Sequence, residues 1–478
     1  MRPLIIPLIA QVVEAVYSRD ATPTRAVSLA DGATCACAQL SNAYANLTLF
    51  GNSTNYVAEA TNYWDIRSDL LPKSQFAMRG RGHMNFPGSN NIDGGVLLAL
   101  NGLNELRISD DNSTIEVGPG NRWVDVYTAL APRGLYAIGG RLKTIGVAGL
   151  ELIGGFHYFI NKYGMAMDNV ISYDVILGNG TQLTANSTSN PDLFWALKGG
   201  ANNFALVTKF TLKVYPIPLI STTTQLFGEA TIPDFITATV DFATHDEPDV
   251  AAGAVINVSY NSSTQEFGAT LLGVQESTVS PPSRFANFSA LPSTLRQDAV
   301  VPPIEWHNSL DSPNQMFRVQ FAHKTIKADA NQLQRIFEDW KSNIVNLNNV
   351  KGLYSTWVMN ILPKSALSVA KNNGVGNVWG LDDDETYILW QFANTWEDAE
   401  DDLRVTNFAR SFVDYWHEDS KARGLASEFL YMGDAGEFQN PFSGFPLENV
   451  NKMKDIRSSY DPLGVFTSLN WGGFKLAA

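Results

Sequence analysis

"FAMRGRGHMNFPGSN", residues 76–90, sets one histidine, His83, inside a glycine-rich turn directly after a short apolar run. Glycine marks positions where backbone turns tightly or approaches another group closely. The flanking residues are Arg79, Arg81 and Met84. What a histidine does in such a turn decides how the rest of the chain is read.

Glycine stays concentrated downstream. Six fall between Gly80 and Gly102 and nine between Gly118 and Gly155. "STIEVGPGN" predicts a strand ending at Val117, then a tight turn. "NRWVDVYTALAPRG" puts Trp123, Val126, Tyr127 and Leu130 on one helical face, stopped near Gly134, with Asn121 as the expected cap. "NVISYDVILGNGTQL" predicts two strands across an Asn-Gly turn. In "NFALVTKFTLKVYPIP", alternation sends Phe204, Leu206, Thr208, Phe210, Leu212 and Val214 one way and Lys209 and Lys213 the other; Pro216 and Pro218 end the strand. A domain boundary is expected near Leu219.

Beyond it the pattern is α+β. Leu333, Ile336, Phe337, Trp340 and Ile344 share a helical face, as do Val405, Phe408, Phe412, Tyr415 and Trp416 in a helix stopped by Gly424. "AAGAVINVSYNS" and "ETYILWQFANTW" supply strands for these helices to cover.

At 478 residues the chain is too long for one ordinary core. A net charge of −14, spread along the sequence, argues against a nucleic-acid partner but not against a dinucleotide held by backbone N–H groups. Arg2 precedes an apolar run from Pro3 to Val13, too short to span a bilayer and suited to a signal peptide, so residues 1–25 are read as a leader and the protein as secreted, with no membrane partner. Eight N-x-S/T sequons, at Asn46, Asn52, Asn112, Asn179, Asn186, Asn257, Asn261 and Asn287, fit a glycoprotein. Cys35 and Cys37 are awkwardly spaced for a mutual disulfide, and no Cys/His cluster has metal-ligand spacing. Neither a P-loop, a G-x-G-x-x-G turn nor a G-x-S-x-G elbow occurs.

Taken in order, "RGRGHMNFPGSNNIDGGVLLAL", "IEVGPGNRW", "GGRLKTIGVAG", "NKYGMAMDNVISYDVILGNGTQL" and "PDLFWALKGGANNFALVTKFTL", with the C-terminal "YDPLGVFTSLNWGGFKL", resemble the fungal berberine bridge enzyme-like branch of the vanillyl-alcohol oxidase (PCMH-type FAD-binding) superfamily. The resemblance implies an α+β, two-domain fold. An FAD-binding domain (26–219) is followed by a substrate domain (220–430), an antiparallel sheet covered by helices, and then by a C-terminal return (431–478). It implies a single covalent link from His83 to FAD, since Leu142 stands where many relatives carry a second, cysteinyl link. Arg79, Gly80, Arg81 and Gly82 would pass under the pyrophosphate. Gly139, Gly140, Gly146 and Gly149 would run along the cofactor, Ile145 matches a position that gates oxygen, and Val207 belongs to a later wall. Packing is the competing reading of each apolar match.

Departures accompany the resemblance. Only the eleven residues "DIRSDLLPKSQ" separate Trp64 from Phe76, where the family places a strand and a helix needing roughly twenty residues or more. One βα unit of the FAD domain is thus missing, which would expose a sheet edge. Glu151 lies in an apolar stretch, and Ile153 and Ala148 replace glycines. Tyr431 and Asp434 are the catalytic candidates; Gly433 stands where the family has asparagine, and Gln391 is read as an outward-facing sheet residue.

Two readings follow. One is a secreted, monomeric FAD-linked oxidoreductase that oxidises a C–H next to a hydroxyl or amine of a small molecule, with O2 as acceptor. The other is a catalytically silent glycoprotein of the same fold with a truncated flavin site.

Overall fold

Strand pairing sorts the chain into three sheets in a computed structural model that describes residues 29–50, 53–65, 67, 76–85, 87–310 and 317–476. The expected leader (1–25), the Asn52 sequon and most of the eleven-residue bridge lie outside the described residues.

Strands β1 (Phe76–Arg79) and β2 (Val96–Ala99) are parallel neighbours. A five-stranded antiparallel sheet follows, from β3 (Leu106–Ile108), β4 (Thr114–Val117), β5 (Val170–Ile176), β6 (Gln182–Asn186) and β7 (Leu206–Lys213), in the order β3-β4-β7-β5-β6. The expected Asn-Gly turn joins β5 to β6, with Gly180 at φ +82°.

The chain then enters an eight-stranded antiparallel sheet: β8 (Ile220–Gly228), β9 (Ala252–Asn261), β10 (Glu266–Gln275), β11 (Leu295–Val301), β12 (Arg318–Lys327), β13 (Tyr354–Leu362), β14 (Tyr387–Trp396) and β15 (Ala426–Ser427), ordered β11-β8-β10-β9-β13-β14-β12-β15. Finally β16 (Asn470–Trp471) returns to pair in parallel with β1, making the first sheet β16-β1-β2. The Asn203 side chain secures this return, donating to the Phe474 carbonyl at 3.1 Å and accepting from the Leu476 N–H at 3.0 Å. This is the expected α+β architecture, with an antiparallel substrate-domain sheet. All four β2 side chains are half-buried, as befits a strand at a sheet edge.

The eight-stranded sheet has two faces with different tasks. Trp357, Met359, Trp390, Phe392 and Trp396 pack outward against helices Ile232–Thr244, Ala330–Ile344 and Asp402–Ala422. Leu362 and Leu389 pack inward with the five-stranded sheet and its helices. The face Leu333 to Ile344 is buried as its period predicts. In the longer helix Tyr415 is 61% exposed, contrary to expectation; Ala409 and Val413 take its place, because a 3.6-residue repeat cannot keep both 415 and 416 inward over five turns.

Alternation also fails at one end of β7. Tyr173 pairs with Phe210 and Asp174 with Lys209, but Val175 pairs with Val207, leaving Thr208 as an extra residue. This bulge moves side chains to the opposite face. Val207 therefore shares the large core with Phe210 and Leu212, while Leu206 joins Phe76, Ile176 and Val465 between sheets.

Candidate active site

The turn after β1 is built around Gly82. At φ +68° it adopts a conformation that L side chains rarely tolerate, and a Cβ there would lie 2.8 Å from the Asn62 carbonyl oxygen. That closeness admits a strap, Asn62–Trp64. The Trp64 N–H donates to the Gly82 carbonyl at 2.9 Å, and its indole stacks on His83 with centroids 4.6 Å apart. The same indole meets Phe321 of β12 edge-on at 6.0 Å. Asp65 extends the strap by accepting from the Val319 N–H at 3.2 Å, and Arg67 reaches Glu437 at 2.8 Å. The turn is thereby held against the eight-stranded sheet.

His83 Nε2 is buried without a hydrogen-bond partner. Burial pulls the imidazole pKa down to about 4, and Arg122 pushes the same way, so the ring is neutral at pH 7 with an unused nitrogen. Arg79 is buried, and its guanidinium holds the Glu59 carboxylate at 2.7 Å and the Asn90 carbonyl at 3.2 Å, so that side chain is committed within the protein. A Cβ on Gly80 would make ordinary contact with Pro119 and Ala148.

Arg81 and Arg122 flank Gly146. Arg122 and Gly146 form an isolated antiparallel bridge, and a Cβ on Gly146 would lie 2.9 Å from that of Arg81. Arg122, not Asn121, precedes the helix Trp123–Leu130; the Asp125 carboxylate accepts its N–H at 2.8 Å. Asn121 instead donates to the Gly118 carbonyl at 3.0 Å and closes the preceding turn. Gly139 and Gly140 lie against Trp123, whose ring atoms would be 2.1 and 2.6 Å from added Cβ atoms, so their lack of side chains makes room for a fully buried indole. The Ile145 carbonyl accepts from the Trp123 N–H, and its half-buried side chain packs on the core. Gly149 is exposed, with nothing within 4 Å of a Cβ position. Val207 lies in the large core.

On the inner face of the eight-stranded sheet a second group converges. Asp434 is buried, and one of its oxygens accepts from Asn360 on β13 at 2.7 Å. Asn360 in turn accepts from Arg141 at 2.9 Å. Burial raises the Asp434 pKa to about 6, partly offset by Arg141 and Asn360. Tyr431 is buried with its ring edge-on to Phe156 at 5.0 Å; burial, and then the Asp434 charge, push its phenol well above 10. A Cβ on Gly433 would sit 2.4 Å from the Tyr431 ring, which explains glycine where asparagine was expected. Gln391 is buried, not outward-facing: it lies between Val358 and His323 in a sheet covered on both sides. His323 Nε2 meets the Tyr431 carbonyl at 3.1 Å.

Sequence reasoning missed Arg141, Asn360 and His323, along with a buried chain behind them. Phe159 N–H donates to His157 Nδ1, so Nε2 carries the proton and donates to the Tyr136 hydroxyl at 2.9 Å. Tyr136 donates to His307 Nε2 at 2.5 Å, and His307 Nδ1 donates to the Arg141 carbonyl at 3.0 Å. One directed chain thus fixes the backbone that carries Arg141. Glu151 is wholly buried with both oxygens unpartnered, and burial raises its pKa well above the carboxylate range, so it is neutral.

The unpartnered Nε2 of His83, the unpartnered Nε atoms of Arg81 and Arg122, and the open space at Gly149 suit a flavin dinucleotide. A model of the FAD binding domain matches residues 71–186. The FAD-dependent monooxygenase tpcD of Cochliobolus heterostrophus is 32% identical over 418 residues, which cover 84% of this chain and 80% of that relative. The chain belongs to the FAD-binding, berberine bridge enzyme-like oxidoreductase family. This oxidoreductase is also 29% identical to the FAD-dependent monooxygenase prx3 of Penicillium roqueforti, over 92% of its own length and 93% of the relative's. The glucooligosaccharide oxidase of Acremonium strictum, which carries a 6-S-cysteinyl, 8α-N1-histidyl FAD, superposes with a TM-score of 0.71 at 18% identity, covering 90% of this chain and 97% of that one. This enzyme is therefore an FAD-dependent oxidoreductase with the two-domain fold of such oxidases.

Proposed function

We propose that this oxidoreductase removes hydride from a C–H bond beside a hydroxyl or amine of a small metabolite, with FAD joined covalently to His83 and O2 as acceptor. FAD, held at His83, would supply the two-electron acceptor for the hydride, with O2 as the final oxidant and H2O2 as its product. The protein residues handle the proton and the geometry. Asp434, with a pKa of about 6 and one oxygen not bonded to Asn360, is the base that takes the O–H or N–H proton at neutral pH. Tyr431, whose phenol is pushed far from neutrality, stays protonated and donates a hydrogen bond to the substrate heteroatom. Asn360 and Arg141 keep Asp434 oriented and favour its charged form. The names of the fungal relatives, FAD-dependent monooxygenases, support O2 as co-substrate.

The observation that carries this reading is the neutral His83 with its unpartnered Nε2 in a glycine turn. The test is acid precipitation of the purified protein, followed by mass spectrometry of the His83 peptide. A yellow pellet and a flavin adduct are expected in wild type and absent in His83→Ala. Colourless protein after incubation with FAD would favour the silent reading and overturn this one.

The same proposal has the protein secreted as a glycosylated monomer, with neither nucleic acid nor membrane as partner. Exposed side chains at Asn46, Asn112, Asn179 and Asn287 support it, and no helix among the described residues is long and apolar enough to cross a membrane. Glycopeptide mapping should find those four occupied. Asn257, central in β9 between β10 and β13, should be bare.

A further inference from the structure

Several of the buried or half-buried arginines are ion-paired. Arg67 holds Asp65 and Glu437, Arg79 holds Glu59, Arg284 holds Glu247, and Arg318 holds Asp402. Arg141 and Arg457 form no ion pair but spend donors on Asn360 and Ser458, whereas Arg81 and Arg122 have neither kind of side-chain partner among the described residues. Both are half-buried, both have a buried Nε without a hydrogen-bond partner, and neither forms an ion pair among the described residues. Gly146 keeps them together, bridged to the Arg122 backbone and pressed against the Arg81 stem. The nearby acids are engaged elsewhere: Glu59 on Arg79 and Asn101, Asp125 on the Arg122 N–H. Burial, and then the Arg122 charge, make Arg81 easier to deprotonate, partly offset by the charges of Asp125 and Glu59.

Two guanidinium groups with unspent donors, set beside the His83 turn, call for one ligand chemistry. We propose that Arg81 and Arg122 form a two-arginine clamp for the diphosphate of FAD, one from each side of Gly146. The clamp rests on the FAD reading above and assigns Arg122, which no sequence motif singled out, to the cofactor. Guanidinium suits this task because its planar fork gives parallel, charge-assisted bonds to phosphate oxygens. The diphosphate would also offset the charge of both arginines, so its binding should stabilise the fold.

That offset gives a test with opposite signs. In a His83→Ala background, flavin-free full-length protein is titrated with FAD and with ADP by calorimetry, and its melting temperature is measured with and without ligand. Arg81→Gln and Arg122→Gln should each weaken FAD and ADP binding about tenfold or more and flatten the salt dependence. Without ligand the same variants should melt at or above the parent, because a like-charge pair is gone; Arg→Lys at either site should bind with intermediate strength. Parent-like FAD affinity in the doubly substituted protein would overturn the clamp and leave the FAD reading standing. Failure of the parent to bind FAD or ADP would overturn both. A variant that melts lower without ligand, yet keeps its ligand-induced shift, would assign the arginines to packing and overturn the clamp.

Discussion

The indole of Trp64 lies flat on the imidazole of His83, with ring centroids 4.6 Å apart and planes 11° from parallel. Trp64 belongs to a strap that precedes the shortened segment, and Phe321 of the substrate domain closes on its other edge at 6.0 Å. The stack restricts the imidazole to one plane while leaving Nε2 unpartnered. The covalent attachment proposed for His83 would need both restraint and an open nitrogen.

Trp64→Ala should therefore cost roughly 3–5 kcal/mol of stability, from loss of a buried indole. It should also slow covalent flavin incorporation, because His83 gains freedom. Trp64→Phe should restore most of the incorporation. The checks are denaturant unfolding and the acid-stable flavin content of each variant. Normal flavin content in Trp64→Ala would remove the stack from the attachment step.

Asp434→Asn should lower kcat about a hundredfold or more once a substrate is in hand, with a much smaller change in KM, since the carboxylate acts on the proton in flight. The acidic limb of the kcat/KM profile should fall near pH 6. Asn360→Ala removes a hydrogen bond to the charged form and should move that limb upward. A limb that stays put in Asn360→Ala would transfer the base role to another group.

Stability should depend on pH through the buried histidines. Burial holds His307 at about 3, against 6.5 for an ordinary imidazole. As pH falls below 6.5 the unfolded chain binds a proton that the native state refuses, so stability is lost over the window from 6.5 to about 3. Asp65, Asp168 and Asp434, each raised to about 6 by burial, act in the opposite sense between 6 and 3.8. His307→Gln should leave the carboxylate contribution and flatten the acid-side loss. Unfolding free energies of both proteins at several pH values from 7 to 4 would show it; parallel curves would mean that His307 is not the group.

Glycine substitutions should divide by surroundings. Gly139→Ala forces a Cβ to 2.1 Å from Trp123 and should destabilise by roughly 1–3 kcal/mol. Gly149→Ala lies in a helix with open space around it and should stabilise the flavin-free fold by up to about 1 kcal/mol. If this surface faces the cofactor, the same change should reduce FAD affinity, measured by calorimetry in a His83→Ala background.

What the sequence by itself determined is local. The helical faces around Trp123 and Trp340, the Asn-Gly turn after β5 and the glycine turn at His83 follow from period and turn chemistry within a dozen residues, where neighbouring backbone sets the geometry. The ordered motifs carried the family and FAD with them. Only the tertiary structure decided which side chains do chemistry together. Arg141 and Asn360 are 219 positions apart, and Tyr136 and His307 are 171 apart. The bulge at Thr208, which sends Val207 and Leu206 to opposite cores, depends on the partner strand β5. Such contacts leave no periodic trace, because they arise when two sheets close on one another and polar groups stripped of water must find partners wherever the fold has brought them.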